Sequence, residues 1–140
     1  MTVHVLVPMD DSPMAKRALE HALSMHPGGQ ITVLHVIDYV EESYSARALI
    51  GAKELRERAE ERADALFQEA AAIVDDRGVE FETATAVGDP AREIVAFAEK
   101  ADVDQIVIGS HGRSPVSRIL LGSVAETVTR RAPVPVTVVR

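Results

Sequence analysis

Five short apolar runs, rich in β-branched residues, are separated along this chain by helical segments, and that alternation limits the fold more than any other feature. Val3-His4-Val5-Leu6-Val7, stopped by Pro8, reads as a buried strand. Ile31 to Ile37, Val79 to Val87, Asp104 to Ile108 and Val134 to Val139 read as four more. Ser12 then Pro13 is a capped helix start, and Ala15, Leu19, Ala22 and Leu23 follow at helical spacing until Pro27-Gly28-Gly29. A long helix rich in Ala, Glu and Arg runs from Ala52 to Asp76, and Gly78 closes it. Asp89-Pro90 repeats the cap-then-proline start, with Ile94, Val95 and Ala98 as the apolar stripe. Ser123 opens a last helix that Pro133 ends. Glu41 to about Gly51 has no clear period and reads as a loop or a loosely held helix start. Helix after strand, with strands apolar enough to be buried on both faces, specifies a doubly wound α/β sheet of five parallel strands. The 140 residues make one domain. In the third strand Glu80 and Glu82 share one face, opposite Val79, Phe81, Thr83, Thr85 and Val87, which marks a sheet edge. The pattern leaves the order of the strands open. It does place a ligand outside their carboxyl ends, among the loops after Val7, Ile37, Val87 and Ile108.

Composition removes several function classes. The chain has no cysteine, which excludes disulfides, thiolate nucleophiles and Cys-based metal sites and suits a reducing cytoplasm. A net charge of −7 makes nucleic acid and anionic membrane poor partners. No apolar run approaches the ~20 residues of a spanning helix. The first residues carry no basic region or cleavage site, so a cytoplasmic protein without a signal peptide is expected. Tryptophan is absent and aromatic residues make up only 4%, too few for a base-stacking platform.

The most informative segment runs from Gly109 to Ser123, from a strand end to a helix start. Gly109, Gly112 and Gly122 let backbone approach a ligand closely. The free N–H groups of Ser123, Val124 and Ala125 point out of the helix start, where the dipole favours an anion. Arg113 offers a positive fork for phosphate oxygens, and His111 is a second candidate for a phosphate contact. A blander reading competes with this one. Ser123-Val124-Ala125-Glu126 is a capping box that would spend the serine hydroxyl on its own helix and set a carboxylate near any phosphate.

No Gly-x-x-x-x-Gly-Lys-Ser/Thr or Gly-x-Gly-x-x-Gly is present. A third pattern, Gly-x2-Gly-x9-Gly-Ser, is met by Gly109, Gly112, Gly122 and Ser123. With it stand Val-Pro-Met-Asp-Asp-Ser at 7–12, Leu-His-Val-Ile-Asp at 34–38, Val-Gly-Asp-Pro at 87–90 and Pro-Val-Pro-Val at 133–136. In these pieces, in their order and over the whole of residues 1–140, the chain resembles the universal stress protein family, in its ATP-binding branch. The resemblance implies a Rossmann-like sheet of the adenine nucleotide alpha hydrolase type, with strand order 3-2-1-4-5. It implies an ATP site in which backbone around Val36 reads the adenine edge and Pro8 and Asp10 line base and ribose. Gly109 would flank the ribose, and Gly112, Gly122, Ser123 and Val124 would hold the phosphates. Asp11 departs from the family, which commonly has Gly or an apolar residue there. Two adjacent carboxylates would repel a polyphosphate unless Mg²⁺ at Asp10 or Asp11 lies between. Gly122→Val is expected to put methyl groups in the way of phosphate and, being in a surface loop, to spare the fold.

The paired acids Asp10 and Asp11 also suit a phosphorylation receiver domain. That reading needs an acceptor at the end of the third strand, where Asp89 reads as a helix cap. It also needs a late lysine, and the lysines are only Lys16, Lys53 and Lys100. The five histidines share no metal-binding face, and His4 and His35 read as packed or hydrogen-bonded strand residues. A nucleophile elbow is missing, and no strong general acid or base stands near the phosphate loop. The expected function is therefore a nucleotide-dependent regulator of the stress response. A slow ATPase, or autophosphorylation at Ser114, Ser117 or Ser123, is the enzymatic alternative, and a nucleotide-free structural member of the family is the third. Partners are an adenine nucleotide, an unidentified protein, and a second copy of the chain meeting it through Val134 to Val139, which the resemblance places at a sheet edge and which is apolar, without a charge before Arg140.

Overall fold

The computed structural model describes residues 2–40, 51–112 and 121–140. Strands β1 (His4–Pro8), β2 (Gln30–Ile37), β3 (Glu80–Val87), β4 (Gln105–Gly109) and β5 (Val136–Val139) form one parallel sheet in the order β3-β2-β1-β4-β5. The fully described helices are α1 (Pro13–Met25), α2 (Ala52–Val74), α3 (Pro90–Lys100) and α4 (Ser123–Arg131). The segment 41–50, expected as a loop or helix start, lies outside the described residues. No helix among the described residues is long and apolar enough to cross a membrane.

Alternating side chains of the central strands enter two cores. Val5, Val7, Ile31, Val33 and Val107 pack with Leu19 and Leu23 of α1 and Leu66 and Ala70 of α2. Leu6, Leu34, Ile106 and Ile108 pack on the other face with Ile94 and Ala98 of α3 and Ala125 and Val128 of α4. Burial on both faces is why β1 and β4 read as unbroken apolar runs. Each fully buried Leu or Ile contributes roughly 1.5–3 kcal/mol.

The proline-marked helix starts form as their residues dictate. Ser12 Oγ accepts from the Ala15 amide at 3.2 Å, and Asp89 Oδ2 from the Arg92 amide at 3.1 Å, ahead of Pro13 and Pro90. Asp89 is thus a cap. The strand histidines have partners as expected: His4 Nε2 meets Thr32 Oγ1 at 2.7 Å, and His35 Nδ1 meets the Met9 carbonyl at 2.9 Å.

Two elements are slightly shorter than their sequence runs, and a third is covered unevenly. β5 begins at Val136, not Val134, because Pro135 gives β4 only its carbonyl, which accepts the Ile106 amide at 3.0 Å. α2 ends at Val74, since Asp76 adopts φ +60, outside helical backbone. β3 is an edge strand as expected, but its covered face changes along its length. Phe81 packs against the α1/α2 core, whereas Ala84 and Ala86, on the Glu80 side, pack against the α3/α4 core. Val87 is left 57% exposed.

Candidate functional site

After β1 the chain steps outward through β2 and β3, then crosses back to β4 and β5. The connections that leave β1 and β4 lead to opposite sides of the sheet, which opens a crevice between their carboxyl ends. There the structure has a cleft of about 280 Å³. It is built from the ends of β1, β2 and β4 and the starts of α3 and α4. Pro8, Asp10, Val36, Gly109, His111, Gly112, Gly122, Ser123 and Val124 all line it. Arg113 lies outside the described residues, as do Ser114 and Ser117.

Part of the lining is an apolar slot. Leu34, Val36, Pro90, Ile94 and Ile108 contribute to it, a lining suited to a flat heterocycle. The Met9 amide donates to the Leu34 carbonyl at 2.9 Å, and the last paired residue of β1 is Pro8. Strand alternation turns the amide and carbonyl of Val36 to that same side, beyond the end of the β1 ladder. A donor and an acceptor are thus presented side by side at the rim of the slot.

Another part is rich in N–H groups. Gly122 is the N-cap of α4, with φ −65 and ψ 157, and the helix has no side-chain cap. Ser123 is therefore the first helical residue, and the competing Ser123–Glu126 capping box does not form. The Glu126 amide bonds to the Gly122 carbonyl at 3.0 Å, and its carboxylate pairs with Arg130. That pairing draws the acid along the helix, and among the described residues no side chain caps the first-turn amides.

The three loop glycines are held by close contacts within the chain. A Cβ on Gly109 would meet the carbonyl carbon and Cβ of Met14 at 2.9 Å. One on Gly112 would lie 2.7 Å from Asp10 Oδ2. The Gly122 amide donates to the Ser110 carbonyl at 2.7 Å, and a Cβ there would sit 3.1 Å from that oxygen and 3.3 Å from His111 Cα. A side chain at Gly122 would therefore require the 110–111 backbone to give by a few tenths of an ångström. Asp10 is oriented by the Ser12 amide, which donates to its Oδ1 at 2.9 Å. Asp11 is exposed. No group of three or more His, Asp or Glu side chains among the described residues could hold a metal.

Several wall residues escape the sequence reading. Asp38, at the end of β2, accepts the Val40 amide at 3.0 Å and borders the slot. His35, 8% exposed, stands edge-on to Phe67 and also lines the cleft. Ser110 sits inside the glycine motif, which was the only signal for it. Pro90 and Ile94 were visible as a helix start and a core stripe, but nothing local marks a core residue as a cleft wall.

A parallel sheet with the crevice at its reversal point, apolar at one end and amide-rich at the other, defines the class of α/β domains that take small ligands at their strand ends. The profile of the universal stress protein family matches residues 1–140, and the chain belongs to that family. Among curated relatives it is 33% identical to a universal stress protein, MJ0531, of Methanocaldococcus jannaschii, over 97% of this chain and 81% of that one. Among solved structures it is similar to the protein MJ0577 of the same organism, with TM-score 0.85 and 34% identity, covering 99% and 96% of the two chains. A universal stress protein from Archaeoglobus fulgidus, solved in complex with dAMP, matches with TM-score 0.71 and 25% identity over 100% of this chain and 98% of that one.

Proposed function

We propose that the cleft binds an adenine nucleotide, ATP accompanied by Mg²⁺, and that the bound nucleotide sets the surface this protein offers to a partner. The observation that carries the reading is the polarity of the cleft. The apolar slot and the Val36 main chain suit the Watson–Crick edge of adenine, which pairs one acceptor with one donor. The uncapped amides of α4 suit phosphate. Asp10 stands between them, where a carboxylate accepts from ribose hydroxyls. The dAMP complex of the Archaeoglobus relative supports the same reading for this chain. Mg²⁺ enters as the counter-ion of the phosphates, which supply most of its ligands. The protein acts as a cytoplasmic stress-response regulator, a place that the cysteine-free sequence suits.

Two copies meet through β5. Its outer side pairs with no strand among the described residues, so its amides and carbonyls are open to a second β5 about a twofold axis.

Calorimetry with ATP and GTP tests the nucleotide reading. ATP is expected to bind at least tenfold more tightly, because guanine reverses the donor and acceptor at the base edge. Mass analysis of the small molecule released on denaturation is expected to return an adenine nucleotide. Equal affinity for GTP, or no binding of either, rejects the assignment.

A further inference from the structure

Where β1 and β2 run out beside the cleft, their ladder stops one bond early. The even-numbered residues of β2 turn their amides and carbonyls toward β1. At the far end of the pair the Gln30 amide donates to the Val3 carbonyl at 2.9 Å, and at the cleft end the Leu34 carbonyl accepts the Met9 amide at 2.9 Å. Parallel strands repeat such bonds every two residues. The register Leu6↔Thr32 and Pro8↔Leu34 carries the pattern forward unchanged. The next bond in the series would run from the Val36 amide to the Met9 carbonyl. Among the described residues no such bond is made.

The Met9 carbonyl takes the side chain of His35 instead, with Nδ1 2.9 Å from the oxygen. A carbonyl oxygen can only accept, so this partner fixes the proton on Nδ1. The ring is 8% exposed and is held edge-on against Phe67 of α2, with centroids 6.5 Å apart at 86°. Val36 lines the cleft, and its main chain faces the gap that the missing bond leaves. One further rung of the ladder would occupy the only donor that Val36 can offer to a base. We propose that His35, by taking the Met9 carbonyl out of the β1–β2 ladder, keeps the Val36 amide open as the donor that meets ring nitrogen N1 of a bound adenine. The inference rests on the nucleotide reading above and adds the residue that prepares its base-reading edge. His35 acts through the Met9 carbonyl, which makes it a positioning residue.

Amide hydrogen exchange followed by NMR tests the ladder in the nucleotide-free protein. Thr32 and Leu34 face β1 within the ladder and serve as internal standards. In the wild type the Val36 amide is expected to exchange about a hundredfold faster than theirs, as an amide outside a protected ladder does. ATP should slow it. His35→Leu removes the donor but keeps a side chain that can pack on Phe67. Its Met9 carbonyl can then close on Val36, whose exchange should slow without nucleotide. His35→Asn sets an amide nitrogen near the place of Nδ1 and should restore the open amide. Calorimetry with ATP and with 1-deaza-ATP, in which C–H replaces N1, reads the consequence. The wild type should lose about tenfold in affinity for 1-deaza-ATP, the size of one hydrogen bond. His35→Leu should bind ATP about tenfold more weakly than the wild type does and should not distinguish the two ligands, because the partner of N1 is already occupied. A merely structural role would weaken both ligands alike and leave their ratio unchanged. A Val36 amide as protected as Leu34 in the nucleotide-free wild type overturns the inference, and this arm decides even where His35→Leu does not fold. An equal 1-deaza penalty in wild type and His35→Leu overturns it too. If ATP binds in either case, the nucleotide reading stands alone. An open Val36 amide in a protein that binds no nucleotide overturns the nucleotide reading, and the base-reading role with it.

Discussion

Gly109 sits where the end of β4 crosses the first turn of α1, close enough that a single added carbon would strike Met14 backbone at 2.9 Å. Backbone in that position cannot yield without moving α1 off the sheet. Gly109→Ala is therefore expected to cost about 1–3 kcal/mol, as overpacking does, read as a lower urea midpoint. Gly51 makes the contrast. A Cβ there meets nothing within 4 Å, and the residue is the N-cap of α2 without a side-chain cap. Gly51→Ser should leave stability within about 0.5 kcal/mol or raise it slightly. Equal losses at both positions would mean that contact with Met14 does not set the requirement at Gly109.

The helix caps separate what the chain makes from what its sequence suggests. Asp89→Ala removes a bond that exists and should cost about 1 kcal/mol, measured by chemical unfolding. Glu126→Gln removes only an exposed pair with Arg130, worth about 0.3–0.5 kcal/mol. A loss as large as that of Asp89→Ala would restore the capping box. The starts at Ser12 and Asp89 were legible because cap and proline are adjacent in sequence and act locally. The start at Ser123 was legible too, but its cap was not, because a distant group decides it. The Ser110 carbonyl takes the Gly122 amide and holds that residue extended as the N-cap, so Ser123 is the first helical residue. The cover over β3 was not legible for a related reason. Alternation tells which residues share a side, but the helices laid over the strand choose which side is covered, and that choice changes between Phe81 and Ala84.

On the scale of the molecule, the alternation of elements was enough for a parallel, doubly wound sheet, whereas the order β3-β2-β1-β4-β5 followed only from the family resemblance. Strand neighbours such as β1 and β4 are about a hundred residues apart, and no local pattern records their pairing. The cleft was legible in the same uneven way. Its glycine motif and first-strand acid are contiguous in sequence, but its walls are drawn from several separate segments that meet only once the sheet exists. The same scale governs association. Val136 and Val138 are half-buried against the α3/α4 core, so charges there would harm the fold before any dimer. Their amides, however, face away from β4, since the Pro135 and Val139 carbonyls are the ones that accept from it. Val138→Pro removes one outward amide and is expected to give a monomer by light scattering with an unchanged helical circular dichroism signal. Wild-type protein that remains monomeric across a concentration series, with ATP present, would end the dimer idea.

The bond from the Gly122 amide to the Ser110 carbonyl works as a clasp. It joins the exit of β4 to the entrance of α4, so the two sides of the anion-favouring end are fixed to each other whatever chain lies between them. Closing a loop that is already pinned at both ends becomes only slowly harder with length, about 0.6 kcal/mol per doubling. Foreign sequence spliced in between Gly112 and Leu121, a sensor peptide or a tag, is therefore expected to leave the floor of the cleft in shape. A protein carrying such a graft should melt within a few degrees of the parent, and the graft would stand beside the very end of the cleft whose occupancy it could report.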